Sequence, residues 1–465
     1  MEKTSLKEKL GYGVGAVGLD LSYGLFYSYL SYYLTDGLGI SSVFLLILAP
    51  LARIWDGIND PMMGMIVDKT HTKMGKYRPW ILTGAILNGI VLCLLFNNPF
   101  GLSELSLYIY VGILYVFWGM SNTLADIPFW SMVPSFATEE KDRNLVSTIA
   151  RAFSGLGQGI IMILTSYMVK FFGRADTTKF NEMTSDSLKT GFGKWAMVAA
   201  AALVFFACVC VFSTKERRVI VNNEKFSFKD AIKIIKSNDQ LLIFMLFAMI
   251  SNAGYYMTSG ISSYYFSAVA GDLTIQSKFN LFGTVGSVLS LLVIPVCSKK
   301  MSNRSTYRLS LGMAIAGYTG MAIVGYCFHA NLTAMGLCYT LVSLGIGSMF
   351  VNQTVMLADI VDYGEFKLGK RNQSLTFSMK GFLQKMAYTM QSVIMYSAFS
   401  ITHYDGNAAI QTESAKSAIS FLMFIVPPVM IAVSFIVFSK KYKIYGDYKQ
   451  KILNKVNLNT LEENN

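Results

Sequence analysis

The sequence predicts an all-α membrane protein in which twelve transmembrane helices form two six-helix bundles. The first observation is composition: 53% of the 465 residues are hydrophobic and only 15% are charged, which is not the balance of a soluble chain. The second is the recurrence of apolar runs of about 20 residues, each long enough to cross a hydrocarbon core of about 30 Å. The third is one long polar connection near the middle, which leaves six runs on each side.

The apolar runs follow one another with short polar connections. In chain order they lie at residues 11–34, 41–67, 80–97, 105–133, 145–172, 191–213, 240–269, 279–298, 309–328, 332–361, 375–400 and 418–438. The polar stretch from Met1 to Leu10 predicts no cleaved signal peptide. All six cysteines fall inside the runs without paired spacing, so they indicate neither a disulfide framework nor a zinc site.

The spacing of the runs predicts four parts of the chain. These are an N-terminal six-helix bundle at 1–213, a cytoplasmic linker at 214–239, a C-terminal six-helix bundle at 240–438 and a cytoplasmic tail at 439–465. The linker contains F-S-F-K-D-A-I-K-I-I-K, a pattern that predicts a basic amphipathic helix on the membrane surface.

The net charge of +12 is explained by membrane topology rather than by nucleic-acid binding. If the N-terminus is cytoplasmic, 29 of the 40 Lys and Arg residues lie in cytoplasmic segments, 7 lie on the opposite side and four lie within spans. Such an excess follows the positive-inside rule. The sequence therefore predicts a multi-pass protein of the plasma membrane, the inner membrane of a bacterium, with both termini in the cytoplasm and no nucleic-acid partner.

Three charged residues share one face of the second run. Arg53, Asp56 and Asp60 are spaced i, i+3 and i+7, which places them on one side of a helix. Charge at bilayer depth is costly, so an intramembrane acidic pair predicts a functional site, and two carboxylates against one guanidinium suit a cation. A mutually neutralising structural cluster is the alternative. Pro61 has no N–H to donate, so it opens the helix beside the acids.

Charged residues of several spans lie at a common depth. At 1.5 Å per residue they fall about 9 to 17 Å from the cytoplasmic surface. The six residues are Asp20, Asp56, Asp60, Asp126, Arg151 and Lys385. Both halves therefore bring charge near the midplane, where secondary transporters hold substrate and ion. Separate pairing of each charge for folding is the alternative.

The residues around Asp126 suit a sugar. Trp130 lies one helical turn after Asp126 if the helix continues through Pro128. A carboxylate accepts hydrogen bonds from vicinal hydroxyls, an indole stacks on the apolar face of a pyranose ring, and Arg151 can donate a fork of bonds to further hydroxyls. For Trp130 alone, an interfacial anchor or a packing residue is the alternative.

A weak internal repeat relates the two halves. The tripeptide A-D-I occurs at 125–127 and again at 358–360, and a base within the following span comes after each acid: Arg151 after Asp126, and Lys385 after Asp359. The acids of the first two spans have no counterparts in the second half. The acidic site is therefore expected in the first half alone.

Motifs spread over nearly the whole chain resemble one family. The run R-I-W-D-G-I-N-D-P followed by M-G-K-Y-R-P-W, together with G-A-V-G-L-D, D-I-P-F-W-S and V-D-Y-G-E-F-K-L, is similar to the glycoside–pentoside–hexuronide:cation symporters. These proteins, of which the melibiose permeases are the best known, are part of the major facilitator superfamily. The resemblance implies the major facilitator fold.

The resemblance also implies roles for individual residues. The implied sugar contacts are Asp20, Asp126, Trp130 and Arg151, and Lys385 is implied to lie between sugar and cation. The implied cation site is Asp56, Asn59, Asp60 and Thr123, which are metal ligands only if the cation is sodium or lithium. Two positions depart from the melibiose permeases, with Leu19 in place of Lys and Asn122 in place of Tyr. Both departures leave the sugar and the cation open.

The loop between the second and third runs resembles the superfamily's signature loop. It carries several bases and one acid, Asp68, and Arg78 closes it. The two residues are predicted to belong to a cytoplasmic gate whose contacts break and reform during transport. A solvated basic loop is the alternative.

Together these features predict a secondary active transporter. It would carry a glycoside, such as a galactoside, a glucoside or a related oligosaccharide, into the cell with Na⁺, H⁺ or Li⁺ by alternating access. The predicted partners are the sugar, the monovalent cation and the lipid bilayer, with no cofactor and a monomeric state. A sugar exporter or a membrane sugar sensor on the same scaffold is the alternative. A membrane enzyme is less favoured because the chain has no H-x-x-x-H, no G-x-S-x-G and no metal-ligand histidine pair.

Overall fold

The computed structural model describes residues 4–70, 72–98, 101–137, 140–174, 183–217, 236–327, 331–369, 373–406, 408 and 410–463. The first half of the chain contributes six long helices. They are α1 (Leu6–Leu25), α2 (Ser42–Asp68), α3 (Arg78–Phe96), α4 (Glu104–Phe136), α5 (Glu140–Phe172) and α6 (Ser185–Ser213). α1 begins at a capping box formed by Ser5 and Glu8, and it continues through two π-helical turns at Phe26–Leu30 and Tyr33–Gly37.

The second half contributes a further set of helices. They are α7 (Asp239–Tyr264), α8 (Thr274–Lys300), α9 (Asn303–Cys327), α10 (Leu332–Leu368), α11 (Gln373–Ile401), α12 (Glu413–Phe424), α13 (Val426–Lys441) and α14 (Gly446–Glu463). A π-helical turn at Tyr265–Val269 extends α7. α12 and α13 make up the twelfth predicted span, and α13 begins with a proline in its first turn. The surface helix predicted in the linker falls mainly within residues 218–235, outside the described residues.

Each predicted apolar run coincides with a helix. Within the described residues, nine helical stretches are long and apolar enough to cross a membrane. α1, α8 and α11 are outside this set because their apolar residues alternate with glycine, serine, threonine and glutamine. The all-α membrane fold predicted from composition is confirmed.

The chain divides into two compact units. The first comprises Met1–Asn223, Ser263–Ser277 and Tyr396–Lys416, and the second comprises Glu224–Ser262, Lys278–Met395 and Ser417–Asn465. In the first unit α1 packs against α5 and α6, α3 packs against α4 and α6, and α2 packs against α4. In the second unit α9 packs against α10 and α13, and α14 packs against α10.

The interior of the first unit aligns α1 with α4. The ring of Tyr12 stacks on that of Phe129 with 4.3 Å between centroids, and its hydroxyl donates to the Phe129 carbonyl at 2.6 Å. α4 remains helical through Pro128 and Pro134 as far as Phe136. Residues 126 and 130 therefore stay one turn apart on the same face.

The tail forms a helix that packs on the second unit. Lys449 of α14 forms an ion pair with Asp359 of α10 at 2.6 Å, and Asn303 donates to the same carboxylate at 3.3 Å. Ile452 of α14 is almost completely buried. α14 thus buries an apolar side chain and neutralises the Asp359 carboxylate.

Candidate functional site

The charged face of α2 contains a buried ion pair. Nη1 of Arg53 donates to Oδ2 of Asp56 at 2.6 Å and to the Tyr27 hydroxyl of α1 at 2.7 Å. The guanidinium also lies over the rings of Tyr27 and Tyr115, with 5.2 and 5.9 Å to the centroids. Side chains of Arg53 and Asp56 are each only 4% exposed. Arg53 thus neutralises Asp56 within this face.

α4 provides the surface opposite these acids. The Thr123 hydroxyl donates to Oδ1 of Asp60 at 2.9 Å, and it also lies 3.0 Å from the Gly119 carbonyl oxygen. One turn earlier, a Cβ at Gly119 would lie 2.8 Å from Oδ1 of Asp56. Glycine is therefore required for α4 to approach this carboxylate so closely. The structure brings Asp56, Asp60 and Thr123 together between α2 and α4.

Asn59 lies between the two acids in sequence and has an unsatisfied amide. Its Nδ2 is buried and has no hydrogen-bond partner among the described residues. A buried amide group without a partner is costly. A carboxylate, an amide and a hydroxyl are all oxygen donors of the kind that hard cations prefer. The described residues contain no cluster of three or more His, Cys, Asp or Glu side chains able to hold a metal ion, so the predicted site depends on Asn59 and Thr123 as well.

Three of the predicted sugar residues are in contact. Nε1 of Trp130 donates to Oδ1 of Asp126 at 2.9 Å. The guanidinium carbon of Arg151 on α5 lies 4.0 Å from the Trp130 ring centroid. One face of the indole is thus covered by Arg151, and the Asp126 carboxylate accepts at the indole edge. The arrangement combines an acceptor, an aromatic face and a forked donor.

Asp20 joins this cluster from α1. Asp126 and Arg151 both act on it electrostatically, and Ser154 of α5 is its hydrogen-bonding neighbour. The approach of the two helices depends on Gly157, where a Cβ would lie 2.5 Å from the Val17 carbonyl oxygen. All four predicted sugar residues therefore lie in one region of the first unit.

Lys385 lies in the second unit, on α11. Its carbonyl accepts a hydrogen bond from Thr389 at 3.0 Å. Three residues further on, Tyr388 stacks on Tyr256 of α7 with 3.7 Å between centroids. Earlier on α11, Lys380 donates to Thr354 at 2.6 Å. α11 thus carries both basic residues and a tyrosine that stacks on α7.

The two predicted gate residues differ in what the structure describes. Nε of Arg78 donates to the Val211 carbonyl at 2.7 Å and Nη1 donates to the Met74 carbonyl at 3.2 Å, so its guanidinium binds backbone of the same unit. The Asp68 side chain lies outside the described residues. Arg78 therefore anchors the start of α3 to the end of α6 in this conformation.

A carboxylate that no sequence pattern indicated lies beside this loop. Glu216, just after α6, accepts hydrogen bonds from the backbone N–H groups of Lys76, Tyr77 and Arg78 at 2.8 to 3.0 Å. An acid at a helix N-terminus satisfies otherwise unpaired donors and suits the helix dipole. The sequence separation of about 140 residues left no local pattern from which this contact was predictable.

The second copy of A-D-I has surroundings unlike those of the first. Asp126 contacts Trp130 near Arg151, whereas Asp359 binds Lys449 of the tail helix. The repeat relates positions in the two halves but not their partners.

Comparisons with known proteins agree with this architecture. The chain matches the family described as MFS/sugar transport protein over residues 11–445. The putative glycoside/cation symporter YagG of Escherichia coli (strain K12) is 25% identical over 445 residues, which cover 94% of this chain and 92% of the relative. The raffinose carrier protein of Pediococcus pentosaceus is 27% identical over 452 residues, which cover 93% of this chain and 68% of the relative.

A solved structure shows the same fold. The crystal structure of a D-xylose-proton symporter matches with a TM-score of 0.67 at 13% identity, and the match covers 94% of this chain and 98% of that chain. The protein is thus a multi-pass membrane transporter with the major facilitator fold, and not an enzyme. It belongs to the MFS/sugar transport family, that of the glycoside/cation symporters.

Proposed function

We propose that this symporter imports a glycoside across the plasma membrane of a bacterium, driven by a monovalent cation that enters with it. The observation that carries the proposal is the arrangement on α4, where Thr123 contacts Asp60 while Asp126, one turn later, contacts Trp130. The sugar site consists of Asp20, Asp126, Trp130 and Arg151. The cation site consists of Asp56, Asn59, Asp60 and Thr123. Helix α4 takes part in both.

The Thr123 hydroxyl explains how the cation site can fill. A hydroxyl has one proton to donate and two lone pairs with which to accept. The hydroxyl lies 2.9 Å from Oδ1 of Asp60 and 3.0 Å from the Gly119 carbonyl oxygen, so it can donate its one proton to either. When the proton is donated to Gly119, the oxygens of Thr123 and Asp60 can both face a cation. Na⁺ and Li⁺ would use these oxygens, and H⁺ would bind the Asp60 carboxylate directly.

The cation site and the sugar site act on each other through their charges and through α4. A bound cation adds positive charge beside the Asp56 and Asp60 carboxylates, which lowers the energy of burying them. By linkage, the factor by which the cation raises sugar affinity equals the factor by which sugar raises cation affinity. Lys385, in the second unit, keeps its predicted role in coupling.

Proteoliposomes test the transport function. A panel of labelled galactosides, glucosides and oligosaccharides is offered with an imposed Na⁺, Li⁺ or pH gradient, and counterflow is measured in parallel. We expect uphill accumulation of at least one sugar with one of the gradients. Counterflow without any gradient dependence would contradict symport, and sugar binding without counterflow would indicate a sensor.

A variant locates the sugar site in the same assay. Asp126→Asn removes charge-assisted hydrogen bonds worth about 1.5 to 3 kcal/mol each, so sugar affinity should fall about tenfold or more. Cation binding without sugar should change little. Asp186→Asn, at the exposed start of α6, is the matched control and should leave both affinities unchanged. Equal weakening of sugar and cation in Asp126→Asn would show that the two sites are not separate.

A further inference from the structure

A buried polar network joins three helices of the first unit. Asn88 of α3 is 2% exposed; its Oδ1 accepts a hydrogen bond from Ser22 of α1, and its Nδ2 donates to Ser121 of α4 at 3.1 Å. Nε1 of Trp118 donates to the Ser22 hydroxyl at 3.3 Å, and the Ser121 hydroxyl donates to the Trp118 carbonyl at 3.0 Å. The four residues therefore form a ring that is closed through the main-chain carbonyl of Trp118, and α3 contributes Asn88 to it.

This network, Ser22–Asn88–Trp118–Ser121, has members that are close in sequence to residues of both proposed binding sites. On α1, Ser22 is two residues after Asp20 of the sugar site. On α4, Ser121 is two residues before Thr123 of the cation site. Each ligand site therefore has a network member within one helical turn.

Trp118 extends the contacts to the ion pair on α2. Its ring stacks on Phe26 with 3.5 Å between centroids and meets Tyr27 edge-on at 5.7 Å. The Tyr27 hydroxyl accepts the hydrogen bond from Arg53, which neutralises Asp56. Contacts thus run without a gap from Asp56 through Arg53, Tyr27 and Trp118 to Ser22.

The chemistry of the network requires an amide at its centre. Asn88 accepts from one helix and donates to another, which an aliphatic side chain cannot do. A buried network whose members are all satisfied rigidifies the elements that it joins. Networks of packed and hydrogen-bonded side chains can carry energetic coupling between two sites.

We propose that Asn88 is a positioning residue for symport, which holds α4 in register with α1 so that occupation of the cation site changes the sugar site. The inference rests on the proposed function. It assigns no ligand contact to Asn88, and the residue acts only through Ser22, Ser121 and Trp118.

The second unit offers a matched control. Gln353 of α10 is 3% exposed; its Nε2 donates to Asn252 of α7 at 3.1 Å and to Tyr307 of α9 at 3.4 Å. In chain order, α7, α9 and α10 are the first, third and fourth long helices of the second half, as α1, α3 and α4 are of the first half. Asn88→Leu and Gln353→Leu therefore remove equivalent buried bonds, but only the first lies beside the proposed cation site.

The experiment measures a coupling factor, the ratio of sugar dissociation constants without and with saturating cation, in purified full-length protein. Galactosides and glucosides that bind the wild type serve as probes with Na⁺, Li⁺ or acid pH as the cation. In Asn88→Leu the factor should fall about fivefold or more, toward one, while sugar affinity without cation changes by less than about threefold. Gln353→Leu should lower the melting temperature comparably and keep the wild-type factor.

Further variants keep the test decisive. Ser121→Ala removes the two hydrogen bonds of Ser121 and keeps the bond between Ser22 and Asn88, so it should be milder than Asn88→Leu, and its coupling factor should lie between those of the wild type and Asn88→Leu. A wild-type factor preserved in Asn88→Leu or in Ser121→Ala, or an equal loss in Gln353→Leu, would overturn the inference while leaving symport standing. A wild-type factor of one for every probe would overturn the proposed function and this inference together.

Discussion

At the scale of single residues, the two acids of α2 have unlike surroundings. Asp56 is buried against Arg53, whereas Asp60 is in contact with the Thr123 hydroxyl. Removing one partner of a buried ion pair leaves the other as an uncompensated charge. Asp60 is less buried, and its carboxylate accepts a hydrogen bond from a neutral hydroxyl. The same substitution at the two positions should therefore have different consequences.

We expect Asp60→Asn to abolish uphill sugar accumulation and to preserve downhill exchange. Asp56→Asn should also abolish accumulation, but it strands Arg53 and should cost about 3 to 5 kcal/mol of folding free energy. Accumulation, exchange and melting temperature are measured side by side and normalised to protein in the membrane. If a folded Asp60→Asn protein still concentrates sugar with unaltered cation dependence, Asp60 does not hold the driving cation.

The spacing of charges in the sequence predicted part of this site. The i, i+3 spacing predicted that Arg53 and Asp56 share a face, and the structure pairs them. The partners from α1 and α4 were not predictable by spacing, because Tyr27 and Gly119 carry no charge and are far away in sequence. The association of Asp60 with Thr123 followed only from the family resemblance.

At the scale of elements, α1 ends in a polar cluster that no sequence pattern indicated. Asp36 lies two residues beyond the first predicted span. Its carboxylate accepts hydrogen bonds from Tyr404 and Thr35, both at 2.7 Å. Burial raises the pKa of Asp36 from its ordinary 3.8 to about 7, hydrogen bonds from Thr35 and Tyr404 oppose this rise, and the charge of Asp405 adds to it. The neutral form of Asp36 is therefore favoured by the fold.

This pKa predicts a pH dependence of stability. A carboxyl group whose pKa is raised by folding stabilises the fold fully below its unfolded pKa, near 4, and loses that contribution as pH rises through about 7. The melting temperature of the wild type should therefore fall between pH 5 and pH 8. Asp36→Asn stays neutral, so its melting temperature should vary less over this range, while Asp186→Asn should follow the wild type. An unchanged slope in Asp36→Asn would contradict the assignment.

The local sequence of α4 did not predict whether the helix continues through its prolines. Pro128 made it uncertain from sequence whether the helix continues, and thus whether Trp130 lies one turn after Asp126. Packing of Phe129 against Tyr12 accompanies a continuous helix across this proline. This support comes from Tyr12, which is 117 positions away from Phe129 in the sequence. The periodicity of the α4 sequence therefore gives no information about it.

At the scale of the whole molecule, the fold class was predictable from composition and from the length of the apolar runs. In a bilayer every backbone polar group must be hydrogen-bonded within the protein, so an apolar run of this length forms a helix. The distribution of Lys and Arg predicts further that both termini lie in the cytoplasm. The tail helix α14 carries exposed basic residues such as Lys451, and these positions allow the predicted orientation to be tested.

Cysteine labelling tests the predicted orientation. A cysteine at exposed Lys451 should be protected from an impermeant thiol reagent added to intact cells, and one at exposed Asp186 should react. Both should react after the cells are permeabilised, which controls for accessibility. The opposite pattern in intact cells would reverse the topology.

Trp130 has the Arg151 guanidinium over its ring and the Asp126 carboxylate at its Nε1. These two contacts affect its fluorescence. The excited state of indole has a larger dipole than its ground state, so its emission energy depends on the local electric field. Trp130 is one of five tryptophans, and it alone among the described ones bears opposite charges on these two contacts. A ligand that draws Arg151 or Asp126 away changes that field. Intrinsic fluorescence should therefore report occupancy directly, without a label.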